Sequence, residues 1–225
     1  MPPTSPLSLD TEYSVGEATF AEIVANVSAL RPRSIVEFGA GASSIRIALA
    51  FPTSQVLSID HDARFYAQTI AKLQALGEPP SNLELHLRPI QRQRFGGYLY
   101  KSYACGEFPL AVDAVIVDGP PFWVSRGREA CLHQVATSLR VGARVYLDDT
   151  KRPAESQISA NWLRSYRGLK RIAVLDVGHG MHVFEVTSPL VSPMFHPSVV
   201  LDHFACLLAE FRSRVSSVLR ILVNG

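Results

Sequence analysis

Short apolar runs alternate with amphipathic stretches through the middle of the chain, and that alternation predicts an open α/β sheet. Ser34–Phe38 (SIVEF), Gln55–Asp60 (QVLSID), Leu83–Leu87, which alternates, Asp113–Val117 (DAVIV) and Ala143–Leu147 (ARVYL) read as five strands. Helical spacing falls between them, at 43–50, 63–76, 126–139 and 156–166. Two further β-rich runs, Arg171–Val177 and His182–Val186, are joined by Gly178-His-Gly-Met181 and suit an antiparallel hairpin. The expected architecture is therefore a mostly parallel seven-stranded sheet with one final antiparallel strand and helices on both faces. Gln91–Pro109 has no clear period, with paired glycines and Tyr98, Tyr100 and Tyr103, and reads as a loop or broken helix near a ligand.

The flanks read differently. Residues 1–13 are rich in Pro and Ser and form an irregular lead-in. From Val15 to Leu30, Phe20, Ile23, Val24, Val27 and Leu30 recur at threes and fours, the spacing of a covering helix. After a Pro-bounded linker, 198–223 shows a broad apolar stripe that includes Val200, Phe204, Leu208 and Phe211, with Arg212, Arg214 and Arg220 among its polar positions. The organisation expected is lead-in and covering helix over 1–33, one cofactor-binding domain over 34–187, and linker plus amphipathic helix over 188–225. The last of these is expected to pair two copies of the chain or to fold back, with a membrane surface as the minor alternative.

Composition narrows the class. At 225 residues, 47% hydrophobic and 19% charged, the chain can bury a sizeable core. A net charge of +2 is too small for a field that gathers nucleic acid, so no nucleic-acid partner is expected. Cys105, Cys131 and Cys206 lie far apart, without the spacing of a zinc cage or disulfide framework. No basic start precedes an apolar run, and no stretch has the length of a membrane span, so the expectation is a cytoplasmic protein.

Candidate chemistry gathers at the strand ends. Glu37-Phe-Gly39-Ala-Gly41-Ala-Ser43-Ser44 lies between a strand and a helix, where glycines let a ligand approach the main chain, or simply serve a tight turn. Asp60 ends the next strand, at the spacing where nucleotide-binding βαβ units hold ribose hydroxyls. Asp118-Gly-Pro-Pro121 ends the fourth strand and Asp148-Asp149 the fifth, which brings three carboxylates to the same edge. A divalent cation relieves such crowding; alternatively Asp148 and Asp149 cap the next segment or pair with Lys151 and Arg152. His61 and His179 near this edge can act as bases or be plain loop histidines. Phe122 and Trp123 can pack against an acceptor, and Arg126 and Arg128 either bind an anion or start a solvated helix.

E-x-G-x-G-x-S followed by a strand ending in Asp resembles the cofactor motifs of the class I S-adenosylmethionine-dependent methyltransferases, which have a Rossmann-like fold. The resemblance implies S-adenosyl-L-methionine as cofactor, with Gly39 and Gly41 along its methionine and ribose, Asp60 on the ribose diol, and Glu37 fixing the glycine turn or the cofactor's amino group. Ser43, His61 and Asp118 complete the implied cofactor set. The paired aspartates are similar to those of the metal-dependent O-methyltransferases, which implies Mg2+ at Asp118, Asp148 and Asp149. Catalysis is then assigned to Asp118 and His179, and the acceptor to a small or sugar-like hydroxyl compound.

Two departures stand out. Leu87-Arg-Pro-Ile-Gln91 lacks the acidic adenine contact of that family, leaving Gln91 as a candidate, and Gly119–Trp123 lacks its lysine. A non-catalytic cofactor-binding regulatory or assembly protein is the alternative from another class, and an aminopropyl transferase the alternative enzyme.

Overall fold

The structure is a computed structural model that describes residues 7, 15–109, 111–202, 204, 205 and 208. Helix α1 (Glu17–Ser28) leads into β1 (Ser34–Phe38), α2 (Ala42–Ala50), β2 (Gln55–Asp60), α3 (Ala63–Gln74) and β3 (Leu83–Leu87). A hairpin of β4 (Ile90–Phe95) and β5 (Tyr98–Tyr103) follows. The chain continues through β6 (Val112–Val117), α4 (Gly127–Val135), β7 (Leu139–Asp148), α5 (Pro153–Ser165), β8 (Leu169–Leu175) and β9 (Met181–Val186). Seven strands form one sheet in the order β3-β2-β1-β6-β7-β9-β8. The β3 to β7 pairings are parallel, whereas β9 runs antiparallel to both β7 and β8. The seven expected strands are all present in this sheet.

Side chains divide between two faces with the period of a strand. Val36, Phe38, Val115, Val117, Val145 and Leu147 join Leu132 of α4 and Trp162 of α5 in one core. Their neighbours Ile35, Ala114, Ile116 and Tyr146 join Phe20, Ile23 and Val27 of α1 and Ile47 of α2 in the other. Both faces of the central strands are covered, which is why they read as continuous apolar runs. Each fully buried Ile, Leu or Val contributes about 1.5–3 kcal/mol through its removal from water.

The expected loop over 91–109 is corrected: it carries the β4–β5 hairpin. Gly96 and Gly97 both have positive φ (54° and 89°), the conformation a two-residue hairpin turn requires. Tyr98, Tyr100 and Ser102 alternate inward, with Leu99 exposed between them. The three tyrosines therefore pack as core: Tyr98 and Tyr100 with Ala130 and Val199, Tyr103 against Phe38.

Helix α4 is also shorter than expected, giving way to a 3-10 turn at Ala136–Ser138 and an early start of β7. The tail helix expected over 198–223 lies mostly outside the described residues; those described there, 198–202, 204, 205 and 208, are helical. No helix of the described residues is long and apolar enough to cross a membrane.

Candidate active site

Parallel strands deliver their C-terminal ends to one edge, and the order reverses at β1, between β2 and β6, the place where open α/β sheets form a ligand crevice. The turn after β1 lines it. Gly39 has φ of 108° and donates its N–H to Ile59 O at 2.8 Å. Gly41 precedes α2, and a Cβ placed there would meet nothing closer than Ser43 Oγ at 4.0 Å, so the main chain is open to a ligand on that side.

Glu37 secures this turn from inside the protein. It is fully buried, and its carboxylate accepts hydrogen bonds from Ser43 Oγ (2.7 Å), Ser44 Oγ (2.5 Å) and Ser58 Oγ (2.7 Å). Ser44 Oγ in turn accepts the Gly41 N–H at 3.0 Å. Burial pushes the Glu37 carboxyl up to about 7 despite the opposing pull of the three hydroxyls. The Ser43 hydroxyl, in the first turn of α2, is committed to Glu37.

Asp60 stands at the end of β2 with its Oδ1 accepting the N–H groups of His61 (2.6 Å) and Asp62 (2.7 Å). Asp62 caps α3 by accepting from Arg64 N and Phe65 N, a device worth about 1 kcal/mol. The His61 ring packs edge-on against Tyr103 at 5.9 Å, with Nδ1 3.4 Å from Asp60 Oδ1. The loop after β6 closes the floor: Asp118 and Gly119 both donate N–H to Phe38 O, at 2.9 and 2.7 Å, and the Gly119–Pro120 bond is cis.

The three aspartates do gather at this edge, but around an arginine. Arg128, in the first turn of α4, donates from Nη1 to Asp149 Oδ2 (2.8 Å) and to the Asp148 carbonyl (3.2 Å), and from Nε to the Pro120 carbonyl (3.2 Å). Its Nη2 lies 3.5 Å from Asp118 Oδ1. Arg152 adds a second cation to Asp149 Oδ2 at 2.7 Å. Asp149 takes positive φ (63°) to meet them, a conformation that short polar side chains tolerate.

Burial raises the Asp118 carboxyl, with Arg128 opposing, and pushes Asp148 up to about 8, with Asp118 and Asp149 adding repulsion. Asp148 Oδ1 is buried and meets no hydrogen-bond donor among the described residues. The guanidinium itself would be weakened by burial, yet Asp118, Asp149 and Glu155 outweigh that and hold it charged.

The structure does not show the expected Mg2+ site. Among the described residues no three His, Cys, Asp or Glu side chains are arranged to hold a metal ion, and Asp149 Oδ2 already carries two guanidinium groups. The aspartates do not fit a divalent ion as they stand. His179 lies in the β8–β9 turn with an exposed side chain, and it is its carbonyl that accepts Lys151 N at 2.9 Å. No hydrogen bond of its ring is present among the described residues.

Sequence reasoning left Arg128 open and missed Glu155. The one signal was the short distance from Asp118-Gly-Pro-Pro121 to the start of α4, which keeps that first turn near the strand ends without saying which way Arg128 points.

Beside these groups, Phe122 and Trp123 are 67% and 63% exposed and pack T-shaped at 5.2 Å, with the Arg152 guanidinium 5.8 Å from the Phe122 ring centre.

Comparison with solved structures finds the same fold in methyltransferases. The chain is similar to the O-methyltransferase TomG of Streptomyces achromogenes, involved in tomaymycin synthesis and solved with S-adenosylmethionine; the TM-score is 0.55 at 18% identity, over 79% of this chain and 83% of that one. It is also similar to an O-methyltransferase of Bacillus cereus in complex with S-adenosylhomocysteine (0.57, 11%, 79% and 84%). A third similar structure is the S-adenosylhomocysteine-bound methyltransferase PaMTH1 of Podospora anserina (0.57, 12%, 79% and 81%). No family model matches the sequence, and neither does any curated protein. The chain has the Rossmann-like fold of the class I S-adenosylmethionine-dependent methyltransferases.

Proposed function

We propose that the chain is an S-adenosyl-L-methionine-dependent methyltransferase that acts on the oxygen of a small or sugar-like hydroxyl acceptor. The observation that carries the reading is the junction of three strand ends: the open glycine turn at Gly39–Gly41, the Asp60 carboxylate fixed by two N–H groups, and the Asp118 loop hydrogen-bonded to Phe38 O. The cofactor, when bound, supplies an electrophilic methyl group. Gly41 lets it approach the main chain, Asp60 accepts from its ribose hydroxyls, and Glu37 holds the turn rigid through the serines. His61 and Ser43 border the same space, the first by its ring and the second by its main chain.

The acceptor lies beyond Asp118, whose raised carboxyl is suited to receive the hydroxyl proton as the oxygen attacks in line. The exposed Phe122–Trp123 pair offers a flat apolar surface for a sugar or aromatic ring. His179 is left without a part in this transfer, because its backbone, not its ring, is what the site holds. The proposal extends to assembly: Leu201, Phe204 and Leu208 are exposed at helical spacing and suit a contact between two copies of the chain.

Calorimetric titration with S-adenosylhomocysteine tests the cofactor site. Asp60→Ala is expected to weaken binding by about 10–100-fold, the loss of a hydrogen bond to a charged group, and Gly41→Val to abolish it. Wild-type affinity in both variants removes the assignment. Transfer of label from S-adenosylmethionine to catechols and glycosides then tests the acceptor class.

A further inference from the structure

We infer that Arg128 occupies the role of the divalent cation in this cleft, so that the site works without a metal ion. The inference rests on the methyl-transfer reading of the cleft, and it starts from charge. Asp118 and Asp149 converge from two strand ends, and a pair of ionised carboxylates in a buried site requires a counter-charge. Arg128, which faces both, and Arg152, which pairs with Asp149, supply it.

The guanidinium of Arg128 is more than a passing partner. Its side chain is 6% exposed, and it reaches a carboxylate oxygen, two main-chain carbonyls and a second carboxylate from one position. Those carbonyls belong to Pro120, in the turn after β6, and to Asp148, the last residue of β7. Arg128 thus ties the end of β6 to the end of β7, the bridging that a metal ion performs when carboxylates from two strands share it.

Admitting a divalent cation would require Asp149 Oδ2 to release both guanidinium groups, at 2.8 and 2.7 Å, and the ion would then face their like charge. Asp148 Oδ1 and Glu155 Oε2 have no hydrogen-bond partner among the described residues, yet two free oxygens fall well short of the set that a hard cation needs. The arginine also differs from a metal in what it offers an acceptor. Its N–H donors are fixed on Asp149, Asp118 and the two carbonyls, and it has no open coordination position, so it does not demand a second acceptor oxygen for chelation.

Mn2+ titration followed by electron paramagnetic resonance tests this on the full-length chain saturated with S-adenosylhomocysteine. The wild type is expected to show no saturable uptake through the millimolar range. The double variant Arg128→Met/Arg152→Met, which frees Asp149 of both guanidinium groups, is expected to gain a site that Asp149→Asn in the same background removes. Saturable uptake by the wild type that Asp149→Asn abolishes would overturn the inference, as would a double variant with native circular dichroism that gains no Mn2+. Should the double variant fail to fold, the wild-type titration decides by itself. Failure of S-adenosylhomocysteine to bind strikes the cofactor reading alone, because Mn2+ uptake is read separately.

Discussion

Gly39 and Gly119 meet so closely that a Cβ on Gly119 would lie 3.0 Å from Gly39 Cα and 3.2 Å from Gly39 N, and would collide with Tyr103 Oη. Two strand-end turns, from β1 and β6, are thereby packed main chain to main chain. Neither obstacle yields easily, since the Tyr103 ring is stacked on Phe38 and the Gly39 N–H is bonded to Ile59 O. Gly119→Ala is expected to cost about 1–3 kcal/mol through overpacking, seen as a lower denaturation midpoint. It should also weaken S-adenosylhomocysteine binding, because the displaced backbone is that of the cofactor turn. Unchanged stability and affinity would show that the two turns are free to separate.

Glu37 should write a pH dependence into stability. Its carboxyl titrates at about 7 in the folded protein against 4.5 as an ordinary side chain, so the folded state holds the proton more tightly. Stability from this group is fully present below about 4.5, declines as pH rises, and levels off above about 7, a change on the order of 3 kcal/mol. Glu37→Gln removes the titration while keeping a polar partner for the serines. Denaturant unfolding of both proteins from pH 4 to 8 isolates the effect: the wild type should lose stability relative to the variant across that window. A constant difference would mean that Glu37 ionises normally.

The strands were legible because each is buried on both faces or bounded by turn residues, so that local pattern and tertiary environment agree. The β4–β5 hairpin was not, although Gly96-Gly97 between alternating residues is a hairpin signal. Its tyrosines suggested a ligand, whereas Tyr100 and Tyr103 are buried. At the candidate site, the convergence of Asp118, Asp148 and Asp149 followed from the rule that parallel strands end on one edge. What fills the space among them did not follow, because an arginine in the first turn of a helix has the same sequence signature whether it faces water or an ion-pair network. In the structure Arg128 turns inward, where its Nε donates to the Pro120 carbonyl.

A second buried ion pair holds the helices beside the site. Arg126 donates from Nε and Nη2 to the Glu129 carboxylate at 2.8 and 2.5 Å, and Tyr100 and Asn161 donate to the same carboxylate at 3.0 and 3.3 Å. Both charged side chains are almost wholly buried, so removing Glu129 leaves the Arg126 charge buried without its carboxylate. Glu129→Ala is expected to cost about 3–5 kcal/mol, a fall in melting temperature on the order of 10 °C. Arg126→Met in the same chain should return part of that loss. If the double variant is no more stable than Glu129→Ala, the stranded charge is not the source of the damage.

The C-terminal segment combines an anchored beginning with an exposed continuation. Met194 donates its N–H to Ser165 O at 2.8 Å, and the fully buried Val199 packs with Tyr98, Tyr100 and Ala130, with its carbonyl accepting from Arg126 Nη1. Beyond it, Leu201 and Phe204 are 69% and 60% exposed. Shortening the chain at Thr187 would remove both the anchor and the apolar stripe, confusing loss of stability with loss of a partner. A chain ending at Asp202 keeps Val199 and the Gln157 Nε2 contact to Asp202 Oδ2 at 2.6 Å. Light scattering is expected to give a dimer for the full chain and a monomer for the shortened one, with melting temperatures close to each other. A monomeric mass for both removes the tail from assembly, and a dimer for both moves the interface to another face of the domain.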